Sequence, residues 1–285
     1  MFVIAGVTGH VGSVVAKELL AKGQKIKVLV RDAAKGATWS SQGAEVAVGA
    51  LDDSASLTAA LKGASGFFTL LPPNYQSTDF YAEQRKTADS IAAAVKASGV
   101  PHVVLLSSVG ADLETGTGPI KGLHYLEKAL HATGVKLTAI RAGYFQENAG
   151  NALAPARHMG IFPNMSPSAD YPMPMIATHD IGVLAAKELL AKPAKSEVVD
   201  LHGPAYSIRQ VAEKLGEALG KPLKVLDVPP EGQVTAMIQG GFSQHIAEIF
   251  AEMYAGFASG KVKPSGDRMV QGTTTIDGVI KSLVG

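Results

Sequence analysis

The sequence predicts an α/β fold, a doubly wound parallel sheet with a small α/β lobe on its C-terminal side. Three observations predict it. Short apolar runs alternate with helical patterns over the first 150 residues. The first run ends in Gly6, Gly9 and Gly12, spaced GxxGxxG, and leads directly into a helix. Near residue 150 the alternation gives way to a stretch rich in proline and methionine. Continuous apolar strands between helices indicate a parallel sheet covered on both faces, here of Rossmann type.

The elements follow in order. Residues 3–5 form the first strand, and about 10–22 a helix with Val11, Val14, Val15 and Leu19 on its apolar face. Residues 25–30 and 45–48 are the second and third strands. Ser54 caps a helix to Leu61, and a fourth strand over 66–71 is stopped by Pro72 and Pro73. A helix over 81–98, a strand over 102–107, a helix over 120–133 and a strand over 136–141 complete the regular half. Residues 155–175 hold five prolines and four methionines, which suits an irregular wall over a cleft. Thr178 then caps a helix to Leu190, followed by a strand over 197–201. Helices over 207–219 and 242–259 flank a short strand over 224–228. The expected division is a nucleotide-binding domain over 1–150, completed by about 177–202, and a smaller substrate-side lobe over 151–176 and 203–285.

Composition bounds the function. With 285 residues, 46% of them apolar, the chain is long enough for a large core. A net charge of +1 gives no electrostatic case for nucleic acid or a membrane surface. The absence of cysteine removes disulfides, thiolate nucleophiles and thiolate metal sites together. No basic segment precedes an apolar one at the start, and no apolar run approaches the ~20 residues of a membrane span. A cytoplasmic protein is expected. The histidines are scattered and no HExxH occurs, so no metal is expected. Residues 203–221 lack the basic face of a DNA-reading helix.

The glycine motif carries the first chemical reading. Gly6 permits a tight turn off the strand, Gly9 lets phosphates approach the backbone, and Gly12 lets the helix pack closely. The helix N-terminus adds free N–H groups and a favourable dipole for a dinucleotide pyrophosphate. The second strand ends at Val30 and Arg31, with Lys35 close behind. An arginine there suits a 2′-phosphate, which favours NADP(H) over NAD(H), although the neighbouring Asp32 is placed to reach a ribose. A Tyr with a Lys four residues later is the usual acid pair of carbonyl-reducing short-chain dehydrogenases. The fourth residues after the seven tyrosines are Asp79, Arg85, Ala129, Asn148, Met175, Gln210 and Ala258. Hydride transfer without that pair needs an acceptor that asks for little protonic help.

The glycine motif, Arg31 and the run Arg141, Ala142, Gly143, Tyr144, Phe145, Gln146, Glu147, Asn148 resemble the NmrA-like branch of atypical short-chain dehydrogenases. Leu70 to Pro73, Gly134 and Val135, Thr178 to Gly182, and Asp200 to Gly203 extend the resemblance over nearly the whole chain. That branch includes NAD(P)H-dependent quinone, azo-dye and triphenylmethane-dye reductases, redox-sensing regulators without turnover, and isoflavone-reductase-like enzymes. The resemblance implies that Gly6, Thr8, Gly9, His10, Val11 and Gly12 cradle the pyrophosphate and Arg31 the 2′-phosphate. It implies Leu70, Leu71 and Pro72 on the adenine and ribose side, and Ser107 facing the nicotinamide. Gly143, Tyr144 and Phe145 would pass the carboxamide, with Asn148 opening the substrate side. Gly49 and Ala50 stand where the family often has Gly-Asp, which shifts the adenine contact to Leu51 or Asp52. Lys121 is the nearest match to the lysine of isoflavone-reductase relatives.

Lys121 reads either as a functional lysine or as a solvated helix-start residue, and His124 as functional or half-buried. Glu127 reads as a tie between helix and sheet, and Asp180 as holding the turn between lobes. Tyr144 is placed to donate a hydrogen bond to a substrate oxygen, or to serve as pocket wall. Ile246, Ile249, Phe250, Met253, Tyr254 and Phe257 recur at helical spacing. Such a stripe is core, a homodimer seam or a lid, and Phe242 at its start is assigned to the substrate side. The expected function is an NADPH-dependent reductase of a quinone or conjugated dye in a dry apolar pocket. The alternative is an NADP(H)-sensing regulator without turnover, and the missing Tyr–Lys pair argues against an epimerase.

Overall fold

In the computed structural model, which describes residues 1–285, the chain alternates strand and helix up to residue 142. The elements are β1 (Phe2–Ile4), α1 (His10–Ala21), β2 (Ile26–Val30), α2 (Ala37–Ser40), β3 (Glu45–Val48), α3 (Ser54–Leu61), β4 (Gly66–Leu70), α4 (Phe80–Ser98), β5 (His102–Ser108), α5 (Ile120–Ala132) and β6 (Lys136–Ala142). They are followed by β7 (Tyr144–Phe145), α6 (Leu153–Met159), β8 (Ile161–Asn164), β9 (Met173–Ile176), α7 (Thr178–Leu190), β10 (Glu197–His202) and β11 (Ala205–Tyr206). The chain ends with α8 (Ile208–Leu219), β12 (Lys224–Asp227), α9 (Pro230–Gln239), α10 (Gln244–Ala258), β13 (Arg268–Gln271) and α11 (Ile276–Val284). No helix is long and apolar enough to cross a membrane.

Eight strands form one parallel sheet in the order β3-β2-β1-β4-β5-β6-β10-β13. The order reverses between β1 and β4, and this reversal opens a crevice at their carboxyl ends. Alternate side chains feed two cores. Ile4, Val28, Phe68 and Val104 pack under α1 and α7, while Val3, Leu29, Phe67 and Leu105 pack under α3, α4 and α5. Gly182 lets α7 lie against α1, since a Cβ there would stand 2.5 Å from the Cβ of Val14. A third core, with Phe162, Val211, Leu215, Ile276 and Ile280, belongs to the lobe.

The structure corrects five local expectations. Asp53 rather than Ser54 caps α3, its carboxylate accepting from the Ala55 and Ser56 N–H groups at 3.1 and 3.3 Å. Residues 268–271, assigned to the lobe, return to the main sheet as its edge strand β13. The wall over 155–175 is not irregular throughout, because it carries α6, β8 and β9. Pro163 is tolerated because β8 has a free edge in its two-stranded sheet, and Pro174 because β7 pairs with β9 only from Met175 onward. The helix expected over 242–259 starts at Gln244, capped by Ser243, and α9 precedes it. Phe242 lies in the turn between them. Thr178 is the first helical residue of α7 rather than its cap. The carboxylate of Glu147 takes that role, accepting from the Thr178 N–H at 2.9 Å and also from its hydroxyl.

At the carboxyl ends of β5, β6 and β10, Ser107, Arg141 and Asp200 are register neighbours. Glu127 on α5 closes the row. It receives Arg141 Nε at 3.1 Å, Arg141 Nη2 at 2.6 Å and the Ser107 hydroxyl at 2.6 Å. Arg141 Nη1 donates to Ser265 at 2.9 Å and faces Asp112 at 3.6 Å. Burial alone would favour a neutral guanidinium. The Glu127 hydrogen bonds and the charges of Glu127, Asp112 and Asp200 outweigh it and raise the Arg141 pKa. Removing one partner of a buried pair strands the other charge. Glu127→Ala is expected to cost about 3 kcal/mol of folding stability, the low end of the usual range because Asp112 still faces Arg141. Urea denaturation of the two proteins checks this.

Candidate functional site

The glycine turn sits at the reversal of strand order. Gly6 has φ +69°, and a Cβ there would meet Leu70 Cδ2 at 2.6 Å across the β1–β4 boundary. The Gly9 N–H closes the turn on Gly6 O at 2.9 Å. A Cβ on Gly12 would press on the carbonyl oxygens of Gly6 and Ala5, so the glycine is required for α1 to start this close to the strand. No side chain caps α1, and Thr8, Gly9 and His10 are exposed. The first-turn N–H groups of α1 therefore point outward without a side-chain acceptor, an arrangement suited to a phosphate.

The adenosine side lies beyond β2. Asp32, the residue competing with Arg31 for a ribose, spends Oδ1 on the Ala34 N–H at 2.9 Å, where it caps the short turn Ala33–Gly36. Arg31 and Lys35 are exposed and take part in no salt bridge in the structure. Leu51 is half-buried, whereas Asp52 faces Lys86 at 3.6 Å. Gly49 is where α3 approaches, since a Cβ there would meet Ser56 Oγ at 2.7 Å. Leu70 is half-buried, Leu71 joins the core under α4, and Pro72 O accepts from Gln84 at 3.1 Å.

The run from Arg141 to Asn148 is chiefly a clamp between sheet and lobe. The Gly143 N–H donates to Leu201 O at 3.0 Å, while Tyr144 and Phe145 pair with Met175 and Ile176. Gln146 bridges Met175 O at 3.1 Å and Thr274 O at 2.8 Å. Asp180 accepts from the Thr274 N–H at 2.9 Å and its hydroxyl at 2.6 Å, locking α7 to the segment before α11. Tyr144 and Asn148 are half-buried neighbours. Burial, and then the nearby Tyr254 phenol, push the Tyr144 pKa far above the usual phenol range against the pull of Asn148. The Tyr144 hydroxyl holds its proton more firmly than a free phenol. The Ser107 hydroxyl points to Glu127 and is already spent there.

Lys121 and His124 are held by structure. Lys121 Nζ donates to both Glu252 oxygens at 3.2 and 3.1 Å and lies 4.1 Å from the Tyr81 ring centroid. Burial would lower its pKa, but Tyr81 and Glu252 outweigh that and raise it. His124 Nδ1 donates to Ala111 O at 2.9 Å, and its Nε2 is buried without a partner.

Glu252, which the sequence reading passed over, is the hub of the lid. It also accepts from the Tyr81 hydroxyl at 3.2 Å and the Gly116 N–H at 3.0 Å. Gly118 and Gly256 let α10 touch the 116–118 backbone directly, since a Cβ at either would strike a carbonyl oxygen. Phe242 stacks on Phe250 at 5.6 Å, and both rings lie under 6 Å from Tyr75, at 5.8 and 5.7 Å. Ile246 and Ile249 are buried within the chain, so most of the α10 stripe is folded inward, with Phe257 exposed at its end. A cavity of about 860 Å³ lies between α10, the start of α9 and the 165–167 segment. An acidic residue inside an apolar helical stripe was the available signal for Glu252.

A glycine turn at a sheet reversal, an uncapped helix start and an uncommitted arginine after β2 define a dinucleotide-binding protein of the short-chain dehydrogenase type. The chain belongs to the NmrA-like family, whose model matches residues 1–280. It is 27% identical over 256 residues to an NAD(P)H azoreductase of Xenophilus azovorans, covering 90% of this chain and 86% of that one. It is 26% identical over 267 residues to quinone oxidoreductase 2 of Escherichia coli (strain K12), covering 91% and 89%. Its fold matches the crystal structure of a Citrobacter sp. triphenylmethane reductase complexed with NADP(H), with a TM-score of 0.79 at 21% identity, covering 94% and 93%.

The glycine geometry gives a direct test. Gly12→Ala forces the turn apart, so it should abolish most NADPH binding and lower the melting temperature; fluorescence titration and thermal denaturation measure the two effects.

Proposed function

We propose that the chain is an NADPH-dependent reductase that passes hydride to an electron-poor, apolar acceptor such as a quinone or a conjugated dye. The observation that carries this reading is the pairing of an outward-facing, uncapped turn at the sheet reversal with an aromatic-lined lid over the neighbouring strand ends. The residues present suit the cofactor. The first turn of α1 offers N–H groups to a pyrophosphate, and Arg31 offers a planar charge to a 2′-phosphate. Leu70, Leu71 and Leu51 supply apolar surface on the adenosine side, with Pro72 and Lys35 at its edge. NADPH, when bound, supplies hydride.

The chain's own contribution is orientation and exclusion of water rather than acid catalysis. Tyr144 and Asn148 present polar groups on the substrate side, and Phe145 backs them through the core. Phe242, with Tyr75 and Phe250, supplies an apolar wall for a flat ring. The names of the family relatives, an azoreductase and a quinone oxidoreductase, support the same acceptor class. A cytoplasmic location belongs to this proposal. So does self-association as a homodimer, with the exposed Phe257 at the end of the α10 stripe. The capture of Lys121 by Glu252 favours a second reading, an NADP(H)-sensing protein without turnover.

A spectrophotometric assay separates the two. Purified protein with NADPH and a panel of quinones and dyes should consume the reduced nicotinamide; tight NADPH binding with no consumption on any acceptor would leave the sensor. Arg31→Ala removes a charged hydrogen bond worth about 1.5–3 kcal/mol. It should weaken NADPH roughly 10–100-fold with little change for NADH. Equal losses for the two cofactors would refute the 2′-phosphate assignment.

A further inference from the structure

We infer that Tyr254, on α10, is a second hydrogen-bond donor to the acceptor's oxygen, working with the nearby Tyr144. This rests on the reductase reading. Three tyrosine hydroxyls are tied within the protein. Tyr81 donates to Glu252, Tyr125 donates to Asp89, and Tyr206 accepts from the Ile276 N–H. Tyr254 is half-buried, and no group of the protein hydrogen-bonds its hydroxyl. That hydroxyl is free to donate to a ligand that enters the cavity it lines.

The cavity around it isolates the same hydroxyl. Of its polar lining residues, Glu252 is held by Lys121 and Asp227 by Asn164. Gln233 donates to Met165 O, the Ser166 hydroxyl to Asn164 and Ser168, and the Ser259 hydroxyl to Gly256 O. Tyr254 is the one lining residue whose hydroxyl is uncommitted. The rest of the wall is apolar, with Met165, Pro167, Val228 and Ala255. The phenol also stands near that of Tyr144 on β7, whose ionisation it opposes, and near Tyr75. Burial is the larger cause for both, so both keep their protons.

Two protonated phenols close to one another suit one task. Hydride addition to a quinone places the electron pair on its oxygen as an oxyanion, and water later supplies the proton to give the hydroquinone, the nicotinamide being oxidised. Donors that keep their protons stabilise that oxyanion as it forms. An acceptor whose cationic carbon takes the hydride ends neutral and develops no oxyanion, so the donors are idle.

The test compares the two acceptor types in Tyr254→Phe, which keeps the ring and its packing. With NADPH held saturating, kcat/KM is measured for menadione and for malachite green in the wild type and the variant. The menadione-to-dye ratio should fall about tenfold or more. An equal fractional loss on both acceptors, or no loss on either, would overturn the inference and leave the reductase reading standing. Binding of 4-nitrophenolate to the protein with NADP⁺, followed by its absorbance, reads the donor without turnover. A roughly tenfold weaker affinity in the variant supports it, even if the wild type reduces neither acceptor and the reductase reading fails. Equal affinity, or no binding to the wild type, overturns it.

Discussion

A guanidinium with its side chain buried at the end of β6 cannot stay there unpaired, and the way Arg141 is paired organises the substrate side of the molecule. Its two hydrogen bonds to Glu127 fix α5 against β6, and Ser107 brings β5 into the same network. Its contact with Ser265 draws in the strap that follows α10. Next along that strap, the Gly266 N–H donates to Asp200 at 2.6 Å, and Asp267 exchanges hydrogen bonds with the backbone of Val198. The strap then becomes β13. One buried charge thus sets where the lid helix leaves the lobe and where the sheet gains its last strand. Well-packed apolar residues often replace such a pair without loss of stability. What the ion pair adds here is geometry, because a bidentate arginine admits only one arrangement of its neighbours.

Beyond Arg141 the constraint passes along the chain residue by residue. Gly143 bonds to β10, Tyr144 and Phe145 pair with β9, Gln146 reaches the segment before α11, and Glu147 caps α7. This one run therefore docks the lobe on the sheet, with two side chains left for a ligand, Tyr144 and Asn148. The most family-specific stretch of the sequence owes most of its specificity to docking. A run rich in distinctive residues points to chemistry only after the groups already committed to the fold are subtracted.

That distinction explains what was legible in the sequence. The glycine turn could be read because its requirement is local: a positive φ at Gly6 and a close helix start at Gly12 depend on a few neighbouring residues. The central strands could be read because both their faces are buried. β13 could not, since Arg268, Met269, Val270 and Gln271 form no apolar run and one edge of the strand is free. α9 was missed although Pro229 and Pro230 mark its start, because proline at the first helical position looks the same as a loop. The largest gap concerned Lys121. Its partner Glu252 lies 131 residues away, and although an acidic residue stands out on α10, nothing local says which cation it meets.

The lid has a physical form that fits chemistry without a strong acid. α10 meets the 116–118 loop through Gly118 and Gly256, where backbone touches backbone, so helix and loop are joined too closely to slide past one another. The Lys121–Glu252 pair sits at that seam, half-buried, and the rings of Tyr75, Phe242 and Phe250 close the adjacent edge without charge. A rigid seam beside an uncharged wall lowers the local dielectric where substrate oxygens would lie. A neutral hydroxyl counts for more there than it would in water. Proton transfer would gain least from such a setting, because every charged intermediate would be poorly solvated. Hydride transfer gains most, since its demand is a fixed distance, a dry path and a dipole already pointing at the oxygen that takes the charge.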